Sequence, residues 1–238
     1  MTGTMGIVAL GFLLGMRHAT DPDHVVAVST IVSRHRSIRQ AGLVGAAWGL
    51  GHTLTVFVVG GAIVLFGWVM PARLGLAMEF AVAVMLVLLG IGTIAGLRRQ
   101  HRHERGTHSH AADDAVAWLD RRFDGGTLYM LVRPLLVGVV HGLAGSAAVA
   151  LLVMSAIGDP VWALVYLGVF GLGTILGMML ITALIAVPFA MTTGRVPVLS
   201  RALHAGAGVA SVLFGLVLAY QIGFVNGLFG PAAIWDSR

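Results

Sequence analysis

The sequence predicts an all-α, polytopic membrane protein with about six transmembrane helices, arranged as two inverted three-helix repeats. Three observations carry this. Of 238 residues, 58% are hydrophobic and 11% charged, whereas soluble domains carry roughly a quarter charged residues. So few charges cannot coat a body of this size, and lipid must be the solvent around most of it. Six apolar runs, at about 4–33, 40–70, 75–97, 130–157, 161–191 and 200–229, each exceed the ~20 residues that cross a ~30 Å hydrocarbon core. Finally, features of the first three runs recur in the last three.

Run 1 is polar in its middle, so it is either one broken span or two short helices. Its first basic residue, Arg17, follows the apolar stretch, so the run is expected to stay in the mature protein and not to be cleaved as a signal. Runs 2 and 5 hold the small-residue stretches Gly42–Gly51 and Gly168–Gly177, which permit close helix packing. Run 3 ends at the one clearly hydrophilic region. The chain therefore divides into 1–97, a His-rich loop at 98–129, and 130–238.

The repeat rests on three pairings. Gly15-Met16-Arg17-His18-Ala19 resembles Gly138-Val139-Val140-His141-Gly142, and Gly49-Leu50-Gly51-His52 resembles Gly171-Leu172-Gly173-Thr174. Glu79 and Gly90 fall opposite His204 and Gly215, and the three offsets are 123, 122 and 125 residues. Three spans per half is an odd number, so the second half must be inverted, an architecture of many secondary transporters.

Orientation follows from arginine. All fifteen basic residues are Arg. Twelve lie on one side of the predicted spans, from Arg34 to Arg201, and only Arg73 and Arg238 on the other. The arginine-rich side, with the His-rich loop, is expected in the cytoplasm and both termini outside a bacterial inner (plasma) membrane. The net charge of +5 is thereby a topology signal, and no nucleic-acid partner is expected.

Absences narrow the chemistry. Without Cys there are no disulfides, thiolate metal sites or thiol carriers, so a transition metal would need imidazole, carboxylate, thioether or backbone ligands, which leans towards nickel, cobalt, zinc or manganese. Without Lys there is no Walker A motif, so pumping must be secondary or done with a separate ATPase chain.

The chemistry concentrates in Arg17-His18-Ala19-Thr20-Asp21-Pro22-Asp23-His24. Five ionisable groups in eight residues are costly at bilayer depth, at ~2.5–3.5 kcal/mol for each mid-membrane Asp or Arg on the lowest scales. A cation held among them offsets that cost. On an unbroken helix His18 and His24 diverge by ~240°, but Pro22 cannot donate to the carbonyl of His18. A kink or unwound stretch there would bring both imidazoles and a carboxylate together and free backbone carbonyls as further ligands.

The order His18-x4-Asp23-His24 matches the HX4DH signature of the nickel–cobalt transporter (NiCoT/NicO) superfamily, and "RHATDPDHV" resembles its RHAxDADHI form. Gly51-His52 resembles that family's second motif, and "VVHGLAGSAAVALL" resembles a short bacterial branch labelled urease accessory proteins. The similarity covers essentially the whole chain. It implies transport of Ni²⁺ or Co²⁺ with no permanently bound cofactor, His18, Asp23 and His24 as site residues, and His52 as their neighbour. Two departures stand out: an extra N-terminal helix of longer members is missing, and Pro22 replaces the usual Ala.

The candidate metal ligands are thus His18, Asp21, Asp23, His24, His52 and His141. Other readings stay open beside this one. The 17–24 cluster can be a membrane-edge turn facing water. His52 can bond to a neighbouring helix, and His141 can be structural. Glu79 can be a proton-linked carboxylate or pair with Arg17, while His204 reads as a packed polar group. The loop residues His101, His103, His108 and His110 can buffer metal or belong to a plain linker. Expected partners are the bilayer, the divalent ion and a cytoplasmic metal chaperone. Supply of nickel to metalloenzymes such as urease is the leading function. Efflux of nickel or cobalt, or an intramembrane His-dependent metalloenzyme, are the alternatives.

Overall fold

The computed structural model describes residues 2–33, 37–67, 70–103, 131–144, 157, 159–192 and 196–234. Among them the regular structure is entirely helical: α1 (Thr2–His18), α2 (Pro22–Val32), α3 (Ile38–Phe66), α4 (Ala72–His103), α5 (Leu131–Ala144), α6 (Pro160–Thr192) and α7 (Pro197–Tyr220). A single π-helical segment, Gln221–Val225, extends α7.

Local sequence explains the boundaries. Pro22, Pro160 and Pro197 open α2, α6 and α7, where a missing N–H costs nothing. Asp159 adds a cap to α6: its Oδ1 accepts the N–H groups of Val161 and Trp162 at 2.8 and 3.2 Å. Gly67 closes α3 in the left-handed conformation, at φ 61°. Pro188 lies inside α6, and the Thr192 hydroxyl donates to its carbonyl at 2.8 Å.

Four of the helical stretches, 38–66, 72–97, 160–192 and 197–225, are long and apolar enough to cross a membrane. Their outward faces are apolar too, with Leu54, Val58, Phe66, Leu88, Leu184 and Val217 all more than half exposed. A water-facing surface of this kind would be a large uncovered apolar patch. With lipid as solvent it costs nothing, and the protein is a multi-pass membrane protein.

Of the six expected segments, run 1 takes the second of its two expected forms. Run 1 is two helices, because α1 stops at His18 and α2 restarts at Pro22. Of run 4, only 131–144 is described as helix. The remainder of that run, and the His-rich loop from 104 onward, lie outside the described residues.

Helix α6 packs along α3 and α1, and α7 along α4, while α2 sits among α4, α6 and α7. That central place buries Ala27, Val28 and Val32 of α2 with Trp48, Leu86 and Met178. The closest approaches are made over glycine, because any side chain there would strike backbone. An added Cβ at Gly15 would overlap the Phe170 carbonyl and stand 2.9 Å from the Thr174 nitrogen. At Gly138 it would overlap the Trp48 carbonyl and stand 2.9 Å from the His52 nitrogen. Gly51 likewise faces the Leu135 carbonyl, and Gly173 that of Phe12. In α4 and α7, Gly90 faces Gly208 and Gly215 faces Ala83. These contacts hold α3 against α5 and α6 against α1, and so set where His52, His141 and His18 stand.

Candidate metal centre

The break in run 1 builds the centre. Pro22 cannot donate to the His18 carbonyl, so α1 ends and the chain turns through Ala19, Thr20 and Asp21. Three carbonyls at the end of α1 accept bonds from the turn that follows. Those of Gly15, Arg17 and His18 accept the N–H groups of Ala19, Thr20 and Asp21 at 3.3, 2.8 and 3.1 Å. What the turn does supply is convergence: the rings of His18 and His24 stand 4.8 Å apart.

Two further helices complete the cluster. His52 comes from α3 and His141 from α5, and both are buried, as is His24. Their ring centroids lie 5.3 and 4.2 Å from that of His24. Asp23, in the first turn of α2, has its carboxylate where the helix N-terminus favours negative charge. Its Oδ2 accepts from His141 Nε2 at 2.8 Å, and its Oδ1 lies 3.4 Å from His24 Nδ1.

Asp21 lies at the edge of the cluster. It precedes α2 as the capping residue but makes no side-chain cap bond. Its Oδ2 instead accepts from His18 Nδ1 at 2.8 Å, and the side chain is 46% exposed. A carboxylate only accepts, so Nδ1 of His18 carries the proton and Nε2 is left with the lone pair. That Nε2 lies 3.2 Å from His52 Nε2.

Donor atoms close enough to hold one ion fall into two sets among the described residues: His18, His24 and His52, and Asp23, His24 and His141. Within each set they lie within 4.8 Å of one another. Five of the six candidate ligands are thus brought together, and Asp21 belongs to neither set. Both nitrogens of His24, and Nδ1 of His52 and of His141, are buried without a hydrogen-bond partner. An unpaired buried polar atom costs about 1–3 kcal/mol, and a divalent cation satisfies imidazole lone pairs that nothing else here reaches.

Sequence reasoning missed Trp48. Its ring lies 5.7 Å from that of His24 and 5.6 Å from that of His141, fully buried, with an unpartnered indole nitrogen. The signal was its place four residues before His52, on the same face of α3. The remaining candidates lie elsewhere. Glu79, on α4, is in neither set. His204 bonds the Ser200 carbonyl through Nδ1 at 2.5 Å and packs its ring on Phe189, a structural role.

Comparison with known proteins bears on this arrangement. The family described as NicO, high-affinity nickel-transport protein, matches residues 4–223. The urease accessory protein UreH of Bacillus sp. (strain TB-90) is 36% identical over 225 residues, covering 94% of this chain and 95% of that protein. A high-affinity nickel transport protein of Cryptococcus neoformans var. grubii serotype A (strain H99) is 26% identical over 182 residues, which span 65% of this chain and 37% of that longer protein. No solved structure matches the chain. With 220 consecutive positions matched, out of 238, the chain belongs to the NicO family of high-affinity nickel-transport proteins.

Proposed function

We propose that this protein carries Ni²⁺, and by the same ligands Co²⁺, across the bacterial plasma membrane by secondary transport, with His18, Asp23, His24, His52 and His141 as the ligands inside the membrane. One observation carries the reading: four imidazoles and a carboxylate from α1, α2, α3 and α5 converge inside an apolar helical body, and both nitrogens of His24, with Nδ1 of His52 and of His141, have no protein partner. Imidazole suits nickel and cobalt, and the absence of thiolate disfavours copper(I). Asp21 is assigned a positioning role, holding the His18 ring through Nδ1 as carboxylates hold metal-binding histidines elsewhere. Membership of a transport family removes the metalloenzyme alternative.

Uptake for nickel enzymes, urease among them, is the favoured direction, since the Bacillus relative is named a urease accessory protein. Cytoplasmic placement of the His-rich loop, external termini and delivery to a metal chaperone complete the proposal. So do the units 1–97, 98–129 and 130–238.

The inverted repeat is part of the same reading. Gly15 meets Phe170 and Thr174 while Gly138 meets Trp48 and His52, and these pairs interchange when the two halves are exchanged. The pairs Gly51–Leu135 and Gly173–Phe12 interchange in the same way, as do Gly90–Gly208 and Gly215–Ala83. Halves related like this can rock about one site.

Uptake of radioactive nickel into cells lacking their own nickel systems tests the function. Cells expressing the chain should accumulate nickel, and cells expressing His24→Ala at equal level should not. Equal accumulation by both would remove the proposed site.

A further inference from the structure

We infer that the ion occupies two mutually exclusive positions sharing His24, and that transport passes it from one to the other on that imidazole. This rests on the reading of the cluster as the transport site. The donors group as His18, His24 and His52, and as Asp23, His24 and His141, and in no larger set among the described residues. Ligands of one ion at ~2.1 Å can stand at most ~4.2 Å apart. Each set, at 4.8 Å or less, therefore needs to close by only about half an ångström. Gathering all five donors asks more, because no set of donor atoms within 4.8 Å of one another holds both His52 and His141.

Exclusivity follows from His24 itself. A neutral imidazole has one lone pair, so it serves one ion at a time, and a second divalent ion a few ångströms away would be repelled by the first. The two positions differ in character. The first is built of three neutral imidazoles beside the His18–Asp21 turn, where the His18 side chain is 18% exposed. The second has the Asp23 carboxylate, 32% exposed, beside the side chains of His24 and His141, each 2% exposed. An ion reaching the first position can exchange water at His18. The charge of Asp23 then draws it across, as bonds to His18 and His52 break and bonds to Asp23 and His141 form. His24 keeps its bond throughout, so the ion is never stripped of all protein ligands at depth.

The test uses the full chain, purified in detergent, with Ni²⁺ counted by equilibrium dialysis and Co²⁺ as the spectroscopic probe. The wild type should bind one ion per chain. His18→Ala and His141→Ala should each still bind one, with Kd raised about twofold where the two positions were equally populated. Their Co²⁺ visible spectra should differ, one with a carboxylate ligand and one with imidazoles alone, and the wild-type spectrum should be a mixture of both. Reconstituted in vesicles, both variants should lose transport. His24→Ala and the His18→Ala/His141→Ala double variant should bind nothing. Where an Ala variant misfolds, by size-exclusion profile, the Gln variant at the same position replaces it. Loss of binding in either single variant as complete as in His24→Ala would mean one undivided site and overturn the hand-over. So would two ions per wild-type chain, or wild-type transport by a single variant. Failure of the transport-site reading looks different: His24→Ala would then bind as the wild type does.

Discussion

Asp23 accepts a hydrogen bond from His141 Nε2 at 2.8 Å across 118 residues of sequence, tying the first turn of α2 to α5. The carboxylate only accepts, so His141 holds its proton on Nε2 and its lone pair on Nδ1, which is buried without a partner. One bond thus fixes both the place of α5 and the tautomer of its histidine.

The first prediction concerns that bond. His141→Ala leaves a carboxylate that is two-thirds covered without its donor, and a hydrogen bond to a charged group contributes about 1.5–3 kcal/mol. Partial exposure of Asp23 discounts this towards the lower end. Thermal unfolding in detergent without metal should therefore show His141→Ala less stable by about 1–2 kcal/mol. Asp23→Asn in the His141→Ala background should cost little more, since the partner is already gone. A double variant much less stable than either single one would mean that Asp23 has a separate structural role.

Some of this centre was legible in the sequence and some was not, and the difference is one of range. The meeting of His18 and His24 follows from six residues and one proline, because the break at Pro22 is local backbone chemistry. The start of α6 at Asp159-Pro160 is legible for the same reason. Asp23 bonding His141, and Trp48 lying beside both His24 and His141, depend on how α3 and α5 pack, and that is decided by glycines such as Gly51 and Gly138 whose partners no local pattern reveals. Asp21 shows the converse. Its type and spacing allowed a ligand, yet the turn aims it at Nδ1 of His18, on the half-exposed side of the cluster.

Asp21 supplies the second prediction. Groups that orient a metal-binding histidine typically change affinity by about 10- to 100-fold when removed. Asp21→Asn keeps the size and the capping position but offers a weaker acceptor. Nickel affinity in detergent should fall within that range, Asp21→Glu should recover part of it, and the unfolding temperature without metal should barely move. An equal loss of stability would mark Asp21 as a helix cap instead.

Third, Trp48 should report the ion. Its indole lies within 6 Å of two candidate ligands, and paramagnetic Ni²⁺ at that range quenches tryptophan emission. Titration with Ni²⁺ should lower the wild-type signal, and Trp48→Phe should lose most of that change while still binding nickel by dialysis. Undiminished quenching in Trp48→Phe would place the ion near another tryptophan.

Fourth, the glycine contacts should separate sharply by position. Gly138→Ala drives a methyl into the Trp48 carbonyl beside the centre, and overpacking of this kind typically costs about 1–3 kcal/mol. Gly42→Ala meets only the Met179 side chain, at 3.8 Å, so relief of the helical glycine penalty should stabilise it by about 0.5–1 kcal/mol. Size-exclusion profiles after graded heating should rank them Gly42→Ala, wild type, Gly138→Ala. Equal profiles would mean that α5 can shift away from α3 at no cost.

The last prediction concerns orientation, on which the direction of hand-over depends. In the proposed orientation, which rests on twelve arginines against two, the loop at 98–129 is cytoplasmic, and α1 runs inward with His18 at its inner end. The chain has no Cys, so single cysteines report position without background. Cysteine at Thr2 or Ser237 should react with an impermeant maleimide added to intact cells, and cysteine at Ser109 should react only after the cells are opened. Deleting His101–His110 should then reduce nickel accumulation without abolishing it, because the proposed ligands come from α1, α2, α3 and α5. Labelling of Ser109 in intact cells, with both termini protected, would reverse the orientation. The His-rich loop would then meet nickel outside the cell, and the three-imidazole position would face the cytoplasm instead of receiving the incoming ion.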